Sequence, residues 1–199
     1  MSTESKTRPY RKRRRAEQEE ETRLRITEAI MNLHEEVGPA RTTVSAIADK
    51  AGVQRATVYR HFPDVEAQVA ACSAHWLSLH PPPDPSPWME ITDPDERLRA
   101  ALKDLYGWYD ATASTVLKLY RDAPLVPPIQ TRMEARAAAM EATAELLLDG
   151  RGLRGARKRR VHAAIAHALA FGTWRSLVGE QGLGADEAVE LMAGLVAAA

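Results

Sequence analysis

Apolar residues recur at intervals of three and four along most of the chain, the spacing that places them on one face of a helix. Strictly alternating apolar and polar runs, which would indicate strands, do not stand out. The pattern predicts a first helix from Glu17 to Val37, ended by Gly38-Pro39. We therefore expect an all-helical protein. The apolar face of the first helix consists of Ile26, Ala29, Ile30, Leu33 and Val37.

Two short helices joined by a tight turn are predicted between Thr42 and Phe62. Thr42 or Thr43 can cap the first of them, because a hydroxyl oxygen accepts a free backbone N–H at a helix start. Gly52 can take the left-handed conformation that ends this helix. The second helix runs from Gln54 to His61. Its inward residues are expected to be Ala56, Val58 and Phe62.

The outer face of this second helix is rich in side chains that form hydrogen bonds. A helix of this kind fits the major groove of DNA, where glutamine pairs with adenine and arginine with guanine through two hydrogen bonds each. The candidates for reading bases are Gln54, Arg55 and Arg60. Thr42 and Thr43 at the first helix start, with Thr57, Tyr59 and His61, are better suited to phosphates. The alternative for the whole face is a solvated helix surface.

A set of residues at fixed offsets carries a family resemblance: Thr42, Val44, Ile47-Ala48, Ala51-Gly52-Val53, Thr57-Val58-Tyr59 and His61-Phe62. This set resembles the helix-turn-helix of the TetR family of transcriptional regulators, and with the preceding helix the match covers roughly residues 23–72. The resemblance implies an N-terminal DNA-binding domain of three helices and a C-terminal helical domain for ligand binding and dimerisation. It implies a sequence-specific regulator, most often a repressor that a small-molecule effector releases from a palindromic operator.

Three positions depart from the residues usual in that family. His34 stands where an aromatic residue is usual, and we expect it to be a partly buried packing residue. Gln54 stands where a capping serine is common, so the cap of the second helix is in doubt. Val65 replaces a lysine that commonly contacts phosphate, so positive charge must come from elsewhere, such as Arg41 or the N-terminus.

The formal charges of the whole chain balance, but its first fifteen residues are strongly basic. Met1–Arg15 is predicted to be disordered, because it is polar, like-charged and without apolar periodicity. Its basic run can follow the DNA backbone or enter the minor groove, and the alternative is a solvated tail. The arm residues assigned to DNA are Arg11, Arg13, Arg14 and Arg15.

The predicted order of domains is a disordered basic arm (1–16), a helix-turn-helix domain (17–64), a connecting segment (65–87) and an effector-binding and dimerisation domain (88–199). The connecting segment contains a helix, Val65–Leu79, and a proline-rich linker, His80–Pro87, which is not expected to be helical. The apolar face of that helix is predicted to be Val65, Val69, Cys72, Trp76 and Leu79. The last domain is predicted to hold helices that start near 94, reach 120, and then cover 129–148, 157–178 and 185–198.

Large aromatic and methionine side chains of the last domain can line an adaptable apolar cavity. The candidates for an effector pocket are Trp88, Tyr106, Trp108, Tyr109, Tyr120, Met133, Met140, His167, Phe171 and Trp174. Each of them can instead belong to the core, and His167 on its apolar helix is typical of a core histidine.

Small residues recur every four positions in the predicted helix 157–178, at Ala164, Ala168 and Gly172, and would let two helices approach closely. Two such helices from each of two chains can form a four-helix dimer interface. The predicted dimer interface consists of Val161, Ile165, Ala168, Leu169, Gly172, Val189, Met192, Leu195 and Val196. The alternative is that they are buried in their own domain, while the family resemblance favours the dimer.

Several classes of function find no support in the sequence. Cys72 is the only cysteine, so neither an intramolecular disulfide nor a cysteine-based zinc site is expected. His162 and His167 are five positions apart and fall on different helix faces, so no metal site is predicted. Enzyme motifs, cofactor motifs and membrane-spanning apolar runs are not found, which indicates a cytoplasmic protein without a cofactor.

The expected partners are double-stranded operator DNA, a small-molecule effector of unknown identity and a second copy of the chain, with no membrane. Two alternatives remain open. The protein can be a transcriptional activator of the same family, or a ligand- or partner-binding helical protein with a vestigial DNA-binding domain.

Overall fold

The computed structural model describes residues 7–199, with side chains from residue 10 onward. Every regular element in this part of the chain is helical, which confirms the predicted class. None of these helices has the length and apolar character needed to cross a membrane. The α-helices are α1 (Thr7–Glu36), α2 (Val44–Ala51), α3 (Arg55–His61), α4 (Val65–Leu79), α5 (Ser86–Met89), α6 (Pro94–Asp122), α7 (Pro127–Leu148), α8 (Gly155–Leu169), α9 (Phe171–Trp174) and α10 (Ala185–Ala198).

The chain divides into two compact units. Of the described residues, those up to His80 together with Leu117–Gln130 form the head, and Pro81–Val116 with Thr131–Ala199 form the body. The head therefore includes a segment that the sequence assigned to the C-terminal domain. The other predicted domain boundaries stay predictions.

The core of the head is built from the residues whose helical spacing predicted an inner face. Ile26 and Ile30 from α1, Ile47 from α2, Val58 from α3 and Phe62 just after α3 are fully buried. Burying one such side chain stabilises a fold by roughly 1.5–3 kcal/mol. This cluster fixes the short helix α3, which could not persist alone at its length.

Helix α1 begins earlier than predicted. Residues 7–16, expected to be disordered, are its first turns, and residues 1–6 lie outside the described part of the chain. The side chains of residues 10–21 are exposed, so packing against other helices does not support this stretch. Local helix contacts such as the Arg13–Glu17 ion pair at 2.8 Å support it instead. The prediction was wrong because it depended on apolar periodicity, which an exposed helix does not need.

Four residues expected to face inwards are exposed. They are Val37 just after α1, Ala56 in α3, and Val65 and Leu79 at the two ends of α4. The middle of α4 is buried as predicted, at Val69, Cys72 and Trp76. The predicted start of α4 is confirmed, because the Asp64 carboxylate accepts the Ala67 N–H at 2.8 Å.

Prolines lie in the first turn of three helices, of which only the start of α6 near residue 94 was predicted. Helix α5 starts at Ser86, inside the linker predicted to be non-helical, and Pro87 occupies its first turn. Helices α6 and α7 begin with Pro94 and Pro127. Proline is tolerated there because the first N–H groups of a helix have no partner within the helix. Helix α6 is continuous to Asp122, where two helical stretches were expected.

The body contains a helix break that the sequence did not predict. The expected helix 157–178 is interrupted at Ala170, which is extended with φ −70° and ψ 135°, and a π-helical segment, Arg175–Glu180, follows α9. The Tyr106 hydroxyl donates to the Ala168 carbonyl at 2.9 Å, and the Tyr109 hydroxyl donates to the Leu169 carbonyl at 2.7 Å. These two tyrosines from α6 satisfy carbonyls that lose their helical partners at the break. Burial also raises the pKa of Tyr106.

Candidate nucleic-acid interface

Helices α2 and α3 form the predicted helix-turn-helix. The Thr43 hydroxyl oxygen accepts the Ala46 N–H at 3.2 Å and caps α2. Gly52 is left-handed with φ 64° and ψ 40°, and the Val53 N–H donates to the Ala48 carbonyl at 3.0 Å. This is the helix end with a left-handed glycine that the sequence predicted at Gly52. It turns the chain directly into α3.

Helix α3 is held by one face and exposed on the other. Val58 and Phe62 are fully buried, while Gln54, Arg55 and Arg60 are exposed. Gln54 occupies the position before the helix and forms no side-chain cap. Its amide is therefore not used by the helix, as the departure from the usual serine suggested.

The phosphate candidates of α3 are more deeply set, with one exception. Thr57 and His61 are half-buried, whereas Tyr59 is 48% exposed. Arg60 Nη2 lies 3.5 Å from His61 Nε2, so these two side chains are neighbours at the end of the helix. Together the exposed side chains form an outer face that carries amide, guanidinium and phenol groups.

Thr42 and Thr43 differ in what their hydroxyls can still do. Thr42 donates its hydroxyl proton to the Gly38 carbonyl at 3.0 Å and is half-buried. Thr43 uses its oxygen as an acceptor in the cap and is exposed, so its proton remains able to meet a phosphate. Of the two predicted contacts, the geometry favours Thr43.

Arg23 supports α3 and was not singled out from the sequence. Its guanidinium carbon lies 4.7 Å from the centre of the Phe62 ring, and its Nη1 donates to the His61 carbonyl at 3.4 Å. A cation at the end of a helix offsets the partial negative charge of the last carbonyls. In the sequence, only its position three residues before Ile26, at the edge of the buried face of α1, could have indicated this role.

The basic residues of the predicted arm lie on the exposed first turns of α1. At 100° per residue, Arg11, Arg14 and Arg15 share one side of the helix, and Arg13 points away from them. Arg13 is the residue whose Nε contacts Glu17. Lys50 of α2 forms an ion pair with Glu36 at 2.6 Å.

The body residues assigned to an effector pocket are mostly core. Trp88, Tyr106, Tyr109, Phe171 and Trp174 are buried, and Trp108, Met133 and Met140 are half-buried. Tyr120 is exposed and belongs to the head rather than the body. His167 is also exposed, so its assignment as a core histidine was wrong. A surface depression of about 250 Å³ between the end of α7 and the start of α8 is lined by none of these candidates.

Most residues assigned to a dimer interface are also buried within this protomer. Gly172 and Leu195 are exposed, but the other seven lie in the body core and cannot form a contact surface without opening it: Val161, Ile165, Ala168, Leu169, Val189, Met192 and Val196. Helical spacing marked them as an apolar face correctly. Spacing does not tell whether such a face packs on the same chain or on a second copy, and here the alternative of burial in their own domain applies.

Residues 26–72, which contain the helix-turn-helix and its flanking helices, match the family model described as bacterial regulatory proteins, tetR family. This part of the chain therefore has the DNA-binding domain of TetR-type transcriptional regulators. The matched helices are those that DNA-binding transcriptional regulators of this type use to contact DNA.

Solved structures of TetR-type proteins share the fold over nearly the whole chain. A TetR-like transcriptional regulator from Rhodococcus sp. RHA1 is 20% identical, with 88% of this chain and 93% of that chain covered and a TM-score of 0.59. NalD of Pseudomonas aeruginosa, the secondary repressor of the MexAB-OprM multidrug efflux pump, is 20% identical over 90% and 96% of the two chains, with a TM-score of 0.57. The multidrug binding protein EbrR, complexed with imidazole, is 21% identical over 88% and 89%, with a TM-score of 0.52. No curated protein matches the chain in sequence.

Proposed function

We propose that two copies of this TetR-family regulator bind a near-palindromic operator in the cytoplasm and repress the adjacent gene until a small molecule releases them. The observation that carries the proposal is the exposed hydrogen-bonding face of α3 on a fully packed head. A pair of such helices fits successive major grooves when the half-site centres are about 34–36 Å apart.

The side chains of α3 divide by reach and chemistry. Gln54, Arg55 and Arg60 are exposed and suited to base edges, adenine for the amide and guanine for the guanidinium groups. Tyr59 and Thr43 are suited to phosphates, which position the helix without reading sequence. Thr57 and His61 are half-buried. In this proposal they reach a phosphate only where the DNA backbone comes close to the helix.

Positive charge from α1 completes the interface. Arg11, Arg14 and Arg15 share a helix face and are exposed. Val65 supplies no cation where related proteins commonly have lysine. We expect the α1 face to provide much of the salt-dependent affinity, because each neutralised phosphate releases counterions.

The effector is proposed to bind in the body beside a group of aromatic rings. The Arg136 guanidinium carbon lies 4.8 Å from the centre of the Trp108 ring and 5.5 Å from that of Tyr109. Arg136 Nη2 and Trp174 Nε1 are buried and form no hydrogen bond within the described residues. A small molecule with an apolar surface and a hydrogen-bond acceptor would satisfy these N–H groups, since leaving them unpaired costs about 1–3 kcal/mol each.

The relatives support this kind of ligand. EbrR is a multidrug binding protein solved with imidazole, and NalD represses genes of a multidrug efflux pump. Helix α6 carries Trp108 and Tyr109 in the body and ends in the head at Asp122. An effector that shifts α6 can therefore alter the head, and reciprocity requires operator DNA to weaken effector binding by the same factor.

Selection of bound DNA from a random library tests the proposal. The full chain should select a sequence with two inverted half-sites, and the double variant Tyr59→Ala/Arg60→Ala should lose specific binding in a gel-shift titration. The matched control is Arg157→Ala/Arg159→Ala, which removes two exposed basic residues of the body and should bind normally. Recovery of no sequence-specific DNA would reject the proposal, and a reporter gene distinguishes repression from activation.

A further inference from the structure

Two carboxylates and one imidazole converge in the body where the sequence indicated no metal site. Glu141 and Glu145 are one turn apart on α7, and His162 lies on α8. His162 Nε2 is 3.2 Å from Glu141 Oε1 and 3.3 Å from Glu145 Oε1. All three ligand atoms lie within 4.8 Å of one another.

The geometry at His162 differs from that of an ordinary ion pair. Its Nε2 atom is inaccessible to solvent and forms no hydrogen bond within the described residues, although two carboxylate oxygens are within 3.3 Å. These oxygens therefore lie off the direction in which an N–H bond would point. A ring nitrogen that faces two anionic oxygens without donating to either is arranged as one ligand among three.

The spacing of these atoms matches a metal coordination sphere. Zinc binds imidazole nitrogen and carboxylate oxygen at about 2.0–2.2 Å, so neighbouring ligands of a tetrahedral site are about 3.4 Å apart. Both nitrogen–oxygen distances, 3.2 and 3.3 Å, are close to this edge length. Two carboxylates also neutralise the charge of a divalent ion when the imidazole is neutral.

We propose that Glu141, Glu145 and His162 bind one divalent transition-metal ion, with Zn²⁺ as the best match. An imidazole with carboxylates suits zinc and its first-row neighbours, whereas Mg²⁺ and Ca²⁺ prefer oxygen ligands alone. Three protein ligands leave at least one coordination position for water or for a donor atom of another molecule. The ion fastens α7 to α8 within the body.

The site is accessible and belongs to the body, whereas the helix-turn-helix belongs to the head. The Glu141 and Glu145 side chains are 58% exposed, so an ion can enter directly from solvent. Glu145 also borders the surface depression between α7 and α8, which leaves room for an additional ligand. Spacing within one helix does not reveal the cluster, because its members come from α7 and α8.

The test uses the full chain, stripped with a chelator and then titrated with Zn²⁺ in a calorimeter without DNA. We expect one ion per chain with micromolar or tighter affinity, and a higher melting temperature in the presence of Zn²⁺. The variants Glu145→Gln, Glu141→Gln and His162→Ala should each weaken binding by more than about 100-fold, since even outer-shell changes commonly weaken metal affinity 10- to 100-fold. The glutamine variants preserve side-chain shape and are expected to fold. They therefore still test the site if His162→Ala fails to fold.

Two matched controls and a spectroscopic measurement complete the test. His167→Ala and Glu187→Gln remove an exposed histidine and an exposed carboxylate elsewhere in the body and should bind Zn²⁺ as the original chain does. Co²⁺ in place of Zn²⁺ should give the visible absorption of a four- or five-coordinate ion, and Glu145→Gln should abolish it. Binding that is equally strong in the three site variants, or a hexa-aqua Co²⁺ spectrum, would overturn the proposal and leave only the ion pair.

Discussion

The carboxylate of Asp122 accepts a hydrogen bond from the backbone N–H of Ala40 at 3.0 Å, joining the last turn of α6 to the turn that follows α1. Asp122 is 2% exposed. Arg121 holds the carboxylate by two contacts of 2.6 and 3.0 Å and donates to the Val37 carbonyl at 2.9 Å. The hydrogen bond from Arg121, assisted by the one from Ala40, keeps the pKa of Asp122 below its usual value.

Loss of this carboxylate should destabilise the head. Asp122→Ala leaves the Ala40 N–H and the Arg121 guanidinium without their acceptor, which we expect to cost about 1–3 kcal/mol of unfolding free energy. The matched control is Asp110→Ala, an exposed carboxylate on the same helix, which should change stability by less than about 0.5 kcal/mol. Urea unfolding measures both, and equal effects would contradict a special role for Asp122.

Gly38, which follows α1, and Gly52, which follows α2, should respond differently to alanine. Gly38 has φ 93° and ψ 161°, and a Cβ there would overlap Arg121 and Asp122. Gly52 has φ 64°, and a Cβ there would meet nothing within 4 Å. Gly52→Ala should therefore cost only the left-handed conformation, about 1–2 kcal/mol. Gly38→Ala should cost clearly more in the same unfolding measurement, and a reversed order would contradict the packing described here.

The buried imidazole of His34 should make the head less stable in acid. Burial lowers the pKa of His34 to about 4, against the opposing effect of Asp122, whereas the pKa in an unfolded chain is about 6.5. Between these values the unfolded chain binds a proton that the native state does not. Stability from this group is thus complete above about pH 6.5 and is lost progressively, by up to about 3 kcal/mol, as the pH falls to about 4.

His34→Phe tests this pH dependence. Phenylalanine restores the aromatic residue usual at this position in the family and has no proton to gain. Unfolding free energies measured between about pH 7.5 and 5 should fall less steeply for the variant. The same slope in both proteins would show that His34 is not the titrating group.

The exposed start of α1 should determine how strongly salt weakens DNA binding. Arg11→Gln/Arg14→Gln/Arg15→Gln removes three cations from one helix face. If each contacts a phosphate, the slope of log affinity against log salt should fall in magnitude by up to about 3, because each contact contributes about 0.9. Arg13→Gln is the control, since Arg13 points away and contacts Glu17. An equal change in both variants would indicate a general charge effect.

The helix-turn-helix was predictable because each part has a local cause. Thr43 caps the start of α2, Gly52 ends α2, and Asp64 caps the start of α4. Each of these roles depends only on neighbours in sequence. The same holds for the buried row of α1. Contacts between distant segments were not predictable in this way. Asp122 meets Ala40 from 82 positions away, and nothing in its local sequence indicates a partner.

The remaining errors have similar physical reasons. Helical spacing identified Ile165 and Val189 as an apolar face but could not show that this face lies in the protomer's own core. The helix break at Ala170 depends on hydroxyls supplied by Tyr106 and Tyr109 from α6. A single sequence does not reveal such pairings, because they arise only when the helices pack.

We expect α3 of each of two protomers to read one half-site, and the base preferences of Arg60→Ala test this most directly. Selection from a random library should show preference relaxed at one base pair in each half-site, at symmetric positions. The affinity lost for the original operator should be about 1–3 kcal/mol. Weaker binding with all base preferences unchanged would contradict the claim, because Arg60 would then contact only phosphate, and a single asymmetric site would contradict the dimer.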